Sequence, residues 1–110
     1  RHYVFTFNNY TAEDRDRLSG LVTTDRGVKY VAYQPERGEQ GTPHLQGIIS
    51  FVNTSRGAAV GWHTEPMRGT NQQAIEYCQK EETRDHQADF GFVRTKRDQY
   101  LLAQLKVSHY

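Results

Sequence analysis

Two metal-competent side chains, His44 and Gln46, flank an apolar residue in the run Pro-His-Leu-Gln-Gly. On an extended chain successive side chains point to opposite faces, so His44 and Gln46 share one face. Leu45, Ile49 and Phe51 are then free to serve a core on the other. Leaving two polar groups unpaired in such a strand would cost roughly 1–3 kcal/mol each, and a shared ligand removes that cost. An imidazole nitrogen with an amide oxygen is a weak set for zinc but a workable one for Mn²⁺ or Mg²⁺ once a carboxylate joins. Glu36 is the first candidate for that carboxylate and Glu39 the second. On spacing alone the plainer reading is favoured: a His and a Gln at a sheet edge, bonded to nearby backbone.

Tyr77 and Lys80 stand three residues apart, about 60° around a helix axis, and so share a face. Tyr77 also flanks the apolar stripe of Ala74, Ile75 and Cys78, which sets its hydroxyl at the margin of a buried face. Tyrosine is a competent nucleophile toward a phosphate whose oxygens a metal neutralises, and lysine adds a point charge. A half-buried aromatic beside a solvated lysine explains an isolated pair of this kind equally well. Asn8 and Asn9 close the run Phe-Thr-Phe-Asn-Asn. Their amides suit base edges or sugar–phosphate atoms, and equally suit a turn. Cys78, inside the apolar stripe, reads as a small core residue rather than a nucleophile. His63, beside Trp62, reads as structural.

These side chains need elements to hold them. Residues 2–8 alternate as a strand, with Tyr3, Phe5 and Phe7 on one face and Val4, Thr6 and Asn8 on the other. Thr11, with Asp14 three residues on, starts a short polar helix over 12–19. A second strand is expected over 28–34, a Gly/Pro-marked loop over 35–43, and a long apolar strand over 44–52. Residues 53–59 suggest a short helix and 61–66 a strand. Thr70 and Gln73 form a capping box that opens a helix over about 71–81. Residues 89–93 read as a last strand and 95–107, with Leu101, Leu102 and Leu105, as a terminal helix. Strands and helices in this order make an α+β domain, helices packed on a mainly antiparallel sheet.

Composition narrows the function classes. The 110 residues suit one domain with one core, and 12% aromatic content argues for a folded chain. The net charge of only +1 makes any nucleic-acid binding local rather than a broad basic surface. The late cluster Arg94, Lys96 and Arg97 is the main basic concentration. One cysteine excludes a disulfide framework and a thiolate zinc site, and fits a reducing compartment. No apolar run reaches membrane length, and no Gly-rich phosphate loop is present. A chain that starts without Met and stops abruptly is expected to be a domain of a longer protein.

Singly these signals are ambiguous; their order is specific. Phe5-Thr-Phe-Asn-Asn9, then Gly41-Thr-Pro-His-Leu-Gln-Gly47, then Tyr77-Cys-Gln-Lys80 resemble the three motifs of HUH-type replication initiators (Rep) of circular single-stranded DNA viruses, most closely the circovirus-like members. The resemblance covers about residues 2–92. It implies a five-stranded antiparallel sheet flanked by helices, related to the RNA-recognition-motif plan. It implies Tyr77 as nucleophile, Lys80 as its assistant, and Glu36, His44 and Gln46 as ligands of Mn²⁺ or Mg²⁺. Gln46 then stands where the wider class has a second His, and Glu39 remains the lesser choice of carboxylate. Thr6, Asn8, Asn9 and Arg68 would contact DNA. The implied activity is nicking and rejoining of single-stranded DNA at an origin hairpin through a 5′-phosphotyrosine, which starts rolling-circle replication in the host cell nucleus. The implied partners are that DNA and, for the full-length protein, further copies of itself, with no membrane. With no Walker-type loop for a helicase, residues 1–110 would be a single nuclease domain at the N-terminal part of a longer initiator. The rival is a non-catalytic binding module of RNA-recognition-motif type, stacking single-stranded bases on Phe5 and Phe7.

Overall fold

The alternation of large and polar side chains at the start of the chain makes the first strand, β1 (His2–Asn8). The computed structural model describes residues 2–25, 27–52 and 63–96. Two helices follow, α1 (Ala12–Ser19) and the short α2 (Leu21–Thr24). Strands β2 (Val28–Arg37), β3 (Pro43–Phe51) and β4 (His63–Pro66) lead to helix α3 (Asn71–Cys78) and strand β5 (Val93–Lys96). The sheet runs β4-β1-β3-β2-β5, antiparallel at every step. This is the expected α+β architecture.

Period-two alternation sorts the side chains onto two faces. One face carries Phe5, Val31, Tyr33, Leu45, Ile49 and Phe51, closed by Leu18 of α1 and Val22 of α2. Each fully buried side chain of this kind contributes about 1.5–3 kcal/mol. The other face carries Ala32 and Ile48 under Ala74 and Cys78 of α3, with Val4, Tyr30, Met67, Ile75 and Phe92 packed around them. A bulge between Val28 and Tyr30 lets both Val28 and Val31 reach the first face. Gly47 is required by the same packing. A Cβ there would lie 2.3 Å from the Ala32 carbonyl oxygen and 2.4 Å from Phe5 Cζ, so the Phe5 ring occupies the space of the missing side chain.

The helix starts follow their caps. Thr11 accepts from the Asp14 N–H while Asp14 accepts from the Thr11 N–H, completing a box that the weaker Asp match left open. Thr70 and Gln73 do the same for α3.

Several boundaries differ from the sequence reading. β2 does not stop at residue 34 but continues through Pro35 and Glu36 to Arg37, leaving a tight turn over residues 38–42 with Gly41 at φ 83°. Pro35 is tolerated because its carbonyl accepts from Asp85 N–H, which puts its own nitrogen on the side away from β3, so no ladder bond is lost. α3 stops at Cys78 rather than near 81, because the Gln34 amide takes the Lys80 carbonyl at 2.8 Å and draws the chain down onto β2. The last strand is 93–96, not 89–93. Phe90 and Phe92 mimic strand alternation, yet they pack against opposite cores from the segment before β5. Residues 95 and 96, expected to open a helix, pair instead with Val31 and Tyr30. The rest of that helix, Arg97, the helix over 53–59, and Gly61 and Trp62 of the fourth strand lie outside the described residues. α2 has no counterpart among the expected elements.

Candidate active site

The antiparallel register lays the even-numbered side chains of β1, β3 and β2 in rows across the α3 face. Asn8, His44 and Glu36 make the first row; Thr6, Gln46 and Gln34 make the second. The third, Val4, Ile48 and Ala32, is apolar and lies under α3. The candidate ligands therefore occupy the polar end of a face whose middle is core.

Glu36 and His44 face each other directly, with Oε1 3.4 Å from Nε2 and side chains 3% and 16% exposed. His44 Nδ1 lies 3.3 Å from the Thr42 carbonyl, which can only accept, so Nδ1 is set to donate there while Nε2 faces the carboxylate. An imidazole nitrogen and a carboxylate oxygen so disposed are able to share a cation. The Gln34 Nε2 donates to the other carboxylate oxygen of Glu36 at 3.1 Å and fixes its orientation. Gln46 is buried beside them, its Oε1 accepting from the Thr6 hydroxyl at 3.1 Å. Among the described residues no three His, Cys, Asp or Glu side chains gather, so the Gln46 amide would have to complete a ligand set here. Glu39 sits exposed in the turn after β2, away from this row.

Tyr77 lies in the last turn of α3 and is 49% exposed. The Lys80 Nζ stands 4.0 Å from the centre of its ring, so the two meet although Lys80 lies beyond the helix. A cleft of about 530 Å³ is walled by Tyr77, Gln46, Thr6, Arg68 and His63. Gln46, one row from His44, thus belongs both to the group of candidate ligands and to the cleft that Tyr77 opens onto. Asn8 is exposed at the end of β1 opposite His44. Asn9 takes φ 54° and closes the turn, its N–H bonded to the Pro43 carbonyl at 2.8 Å.

A family model of viral replication proteins (Viral_Rep) matches residues 1–81. The chain belongs to this family. The chain is 38% identical over 86 residues to the replication-associated protein of canary circovirus, covering 74% of this chain and 29% of that relative. It is 37% identical over 87 residues to the master replication protein of banana bunchy top virus, covering 74% and 28%. It is 35% identical over 88 residues to the replication-associated protein of porcine circovirus 2, covering 74% and 27%. The chain spans less than a third of the length of each of these relatives.

Other side chains of the domain correct or extend the sequence reading. Phe5 is buried and Phe7 packs against the same core, so neither offers a stacking platform on the sheet surface. His63 is not the structural residue that the sequence suggests. Its side chain is 70% exposed, forms a wall of the Tyr77 cleft and lies 3.4 Å from Glu65 Oε1. Gln34 is a site residue that the sequence reading misses. Its one signal is parity with Glu36, which puts a polar side chain on the same face inside an apolar run. Cys78 is fully buried, and burial, with the Glu36 charge adding to it and Lys80 opposing, pushes its thiol up to about 12. It stays protonated and is no nucleophile.

Proposed function

We propose that this member of the viral replication protein family nicks and rejoins single-stranded DNA, with Tyr77 as the nucleophile and Glu36, His44 and Gln46 as the holders of a divalent metal. The reading rests on the facing Glu36 Oε1 and His44 Nε2, 3.4 Å apart, beside a Gln46 that opens onto the Tyr77 cleft. One carboxylate oxygen, one imidazole nitrogen and one amide oxygen form a hard, mixed donor set that suits Mn²⁺ or Mg²⁺. A metal bound there would offset charge on the non-bridging oxygens of the scissile phosphate.

The chain's own groups do the rest. Tyr77 Oη attacks phosphorus, the bond from phosphorus to the 3′-oxygen breaks, and the phenolic proton is accounted for on the departing 3′-hydroxyl. The 5′-phosphate stays on Tyr77, and attack by a 3′-hydroxyl reverses the step and joins ends. Lys80, over the ring, favours negative charge on the phenol oxygen as the proton leaves. In this reading Arg68, on the cleft wall, and Asn8, opposite His44, would hold the flanking strand. The natural target in this reading is an origin hairpin with an exposed single strand, cut by a domain of a longer initiator.

The test is adduct formation. The chain is incubated with Mn²⁺ and labelled single-stranded oligonucleotides that carry candidate origin sequences, then run on a denaturing gel. A covalent adduct is expected with the unmodified chain and none with Tyr77→Phe. Equal adduct in Tyr77→Phe, or none with any origin sequence, would overturn the reading. His44→Ala is expected to lose Mn²⁺-dependent cleavage but keep oligonucleotide binding and a normal thermal transition.

A further inference from the structure

The row pattern on the α3 face does not end under the helix. Beyond the apolar third row comes a fourth, His2, Ser50 and Tyr30, polar again. The His2 Nδ1 and Ser50 Oγ lie 2.7 Å apart. β5 extends this end of the face, pairing Arg94 with Ala32 and Lys96 with Tyr30. Between them and α3 lies a second cleft of about 290 Å³, walled by Lys29, Arg94, Lys96, His2, Tyr30 and Ile75. Among the described residues three permanent cations line it and no carboxylate does, in a chain whose net charge is only +1. The sequence already marks Arg94 and Lys96 as its main basic concentration, and nothing in the nicking chemistry uses them. Burial pushes the Tyr30 hydroxyl up from its ordinary pKa, and Arg94 lies close enough to oppose that by its charge and by hydrogen bonding. The cleft is thus cationic on one side and apolar or aromatic on the other.

We propose that this second cleft binds the sugar–phosphate backbone of single-stranded nucleic acid, with Lys29, Arg94 and Lys96 on phosphates and a base lodged against Tyr30 and Ile75. The two clefts lie on opposite flanks of α3, one walled by Ala74 and Tyr77, the other by Ile75. Four residue steps of β1 separate His2, on the wall of this cleft, from Thr6, on the wall of the first, about 13 Å at strand rise. A strand held in both clefts would be anchored about two nucleotides away from the Tyr77 cleft. The cleft would then supply affinity that the low net charge withholds, because phosphate neutralisation dominates nucleic-acid affinity. The choice of nucleic acid as occupant rests on the nicking reading; the cationic cleft itself does not.

Binding in EDTA separates the two. A fluorescent single-stranded oligonucleotide of mixed sequence is titrated with the chain at several salt concentrations, where no metal-dependent cleavage occurs. Each phosphate that a variant leaves without its cation lowers the slope of log affinity against log salt by about 0.7, so Lys29→Gln/Arg94→Gln/Lys96→Gln should lower it by about 2. Arg94→Gln should lower it by about 0.7, and Arg17→Gln, an equal charge change on α1 across the sheet, should not. An unchanged slope in the triple variant, or an equal fall in Arg17→Gln, overturns the proposal. A second readout uses backbone amide shifts of Lys29, Tyr30, Arg94 and Lys96. They should move with the oligonucleotide; movement with inorganic phosphate alone would show a free-anion site and overturn the nucleic-acid assignment. Normal adducts with a flat slope would sink this proposal only, and the expected slopes without any adduct would sink the nicking reading only.

Discussion

At the scale of single residues, the site depends on side chains that touch no substrate. Gln34 is 1% exposed and spends both bonds of its amide nitrogen on one task, holding Glu36 and the Lys80 carbonyl together. It sets the carboxylate that faces His44 and anchors the turn that lays Lys80 over Tyr77. Partners that orient metal ligands are commonly worth about 10–100-fold in metal affinity or activity. Gln34→Ala is therefore expected to raise the Mn²⁺ concentration for half-maximal adduct formation by about that factor, and a metal titration of the gel assay measures it. An unchanged titration would mean that Glu36 is positioned by the strand alone. The sequence nominates Glu36 but not Gln34, because a lone Gln in an apolar run gives no hint of the two partners it meets.

At the scale of elements, β3 carries two of the candidate ligands as well as part of the core. Its even side chains reach the site and its odd ones, with Gly47, receive the β1 aromatics. Gly47→Ala would force the Phe5 ring and the β2 backbone apart, and overpacking of this kind costs about 1–3 kcal/mol. A lowered midpoint in urea at unchanged slope is the expected result, and equal midpoints would show that Phe5 can swing aside. α3 is legible in the sequence from its Thr70–Gln73 box, as is β1 from its alternation. The ends of α3, β2 and β5 are not, because each is set by a long-range bond: Lys80 to Gln34, Pro35 to Asp85, Lys96 to Tyr30 across the sheet.

At the scale of the whole molecule, the segment after α3 is tied back to β2 by Arg37 and Asp85. Their charged groups meet at 3.1 Å, Asp85 is 5% exposed, and Arg37 also donates to the Gly41 carbonyl. Burial alone would raise the Asp85 pKa, but the Gln87 N–H and the Arg37 guanidinium outweigh it and hold the carboxyl below its ordinary value. A folded pKa below the unfolded one gives stability that is complete above the ordinary carboxylate pKa and is lost as pH falls through the lowered one. Thermal melts should show Asp85→Asn less stable than the unmodified chain at neutral pH, with the gap closing toward acid. A gap that stays constant with pH would assign the effect to packing rather than to charge.

The local sequence alone determined the face on which each strand residue lies, the two capped helix starts, and the family, because alternation, capping and motif order are read over a few neighbours. It named His44, Gln46 and Tyr77 but left Glu36 and Glu39 in competition, and it gave Arg94 and Lys96 no place. Only the tertiary structure gave these residues their positions, Glu36 facing His44 and Glu39 exposed in the turn after β2. Antiparallel register sets Glu36 opposite His44 and Asn8, and brings β5 against β2 so that distant cations share one cleft. Pairing between strands is a long-range choice, made by where two cores close around the sheet, and no window of the chain contains it.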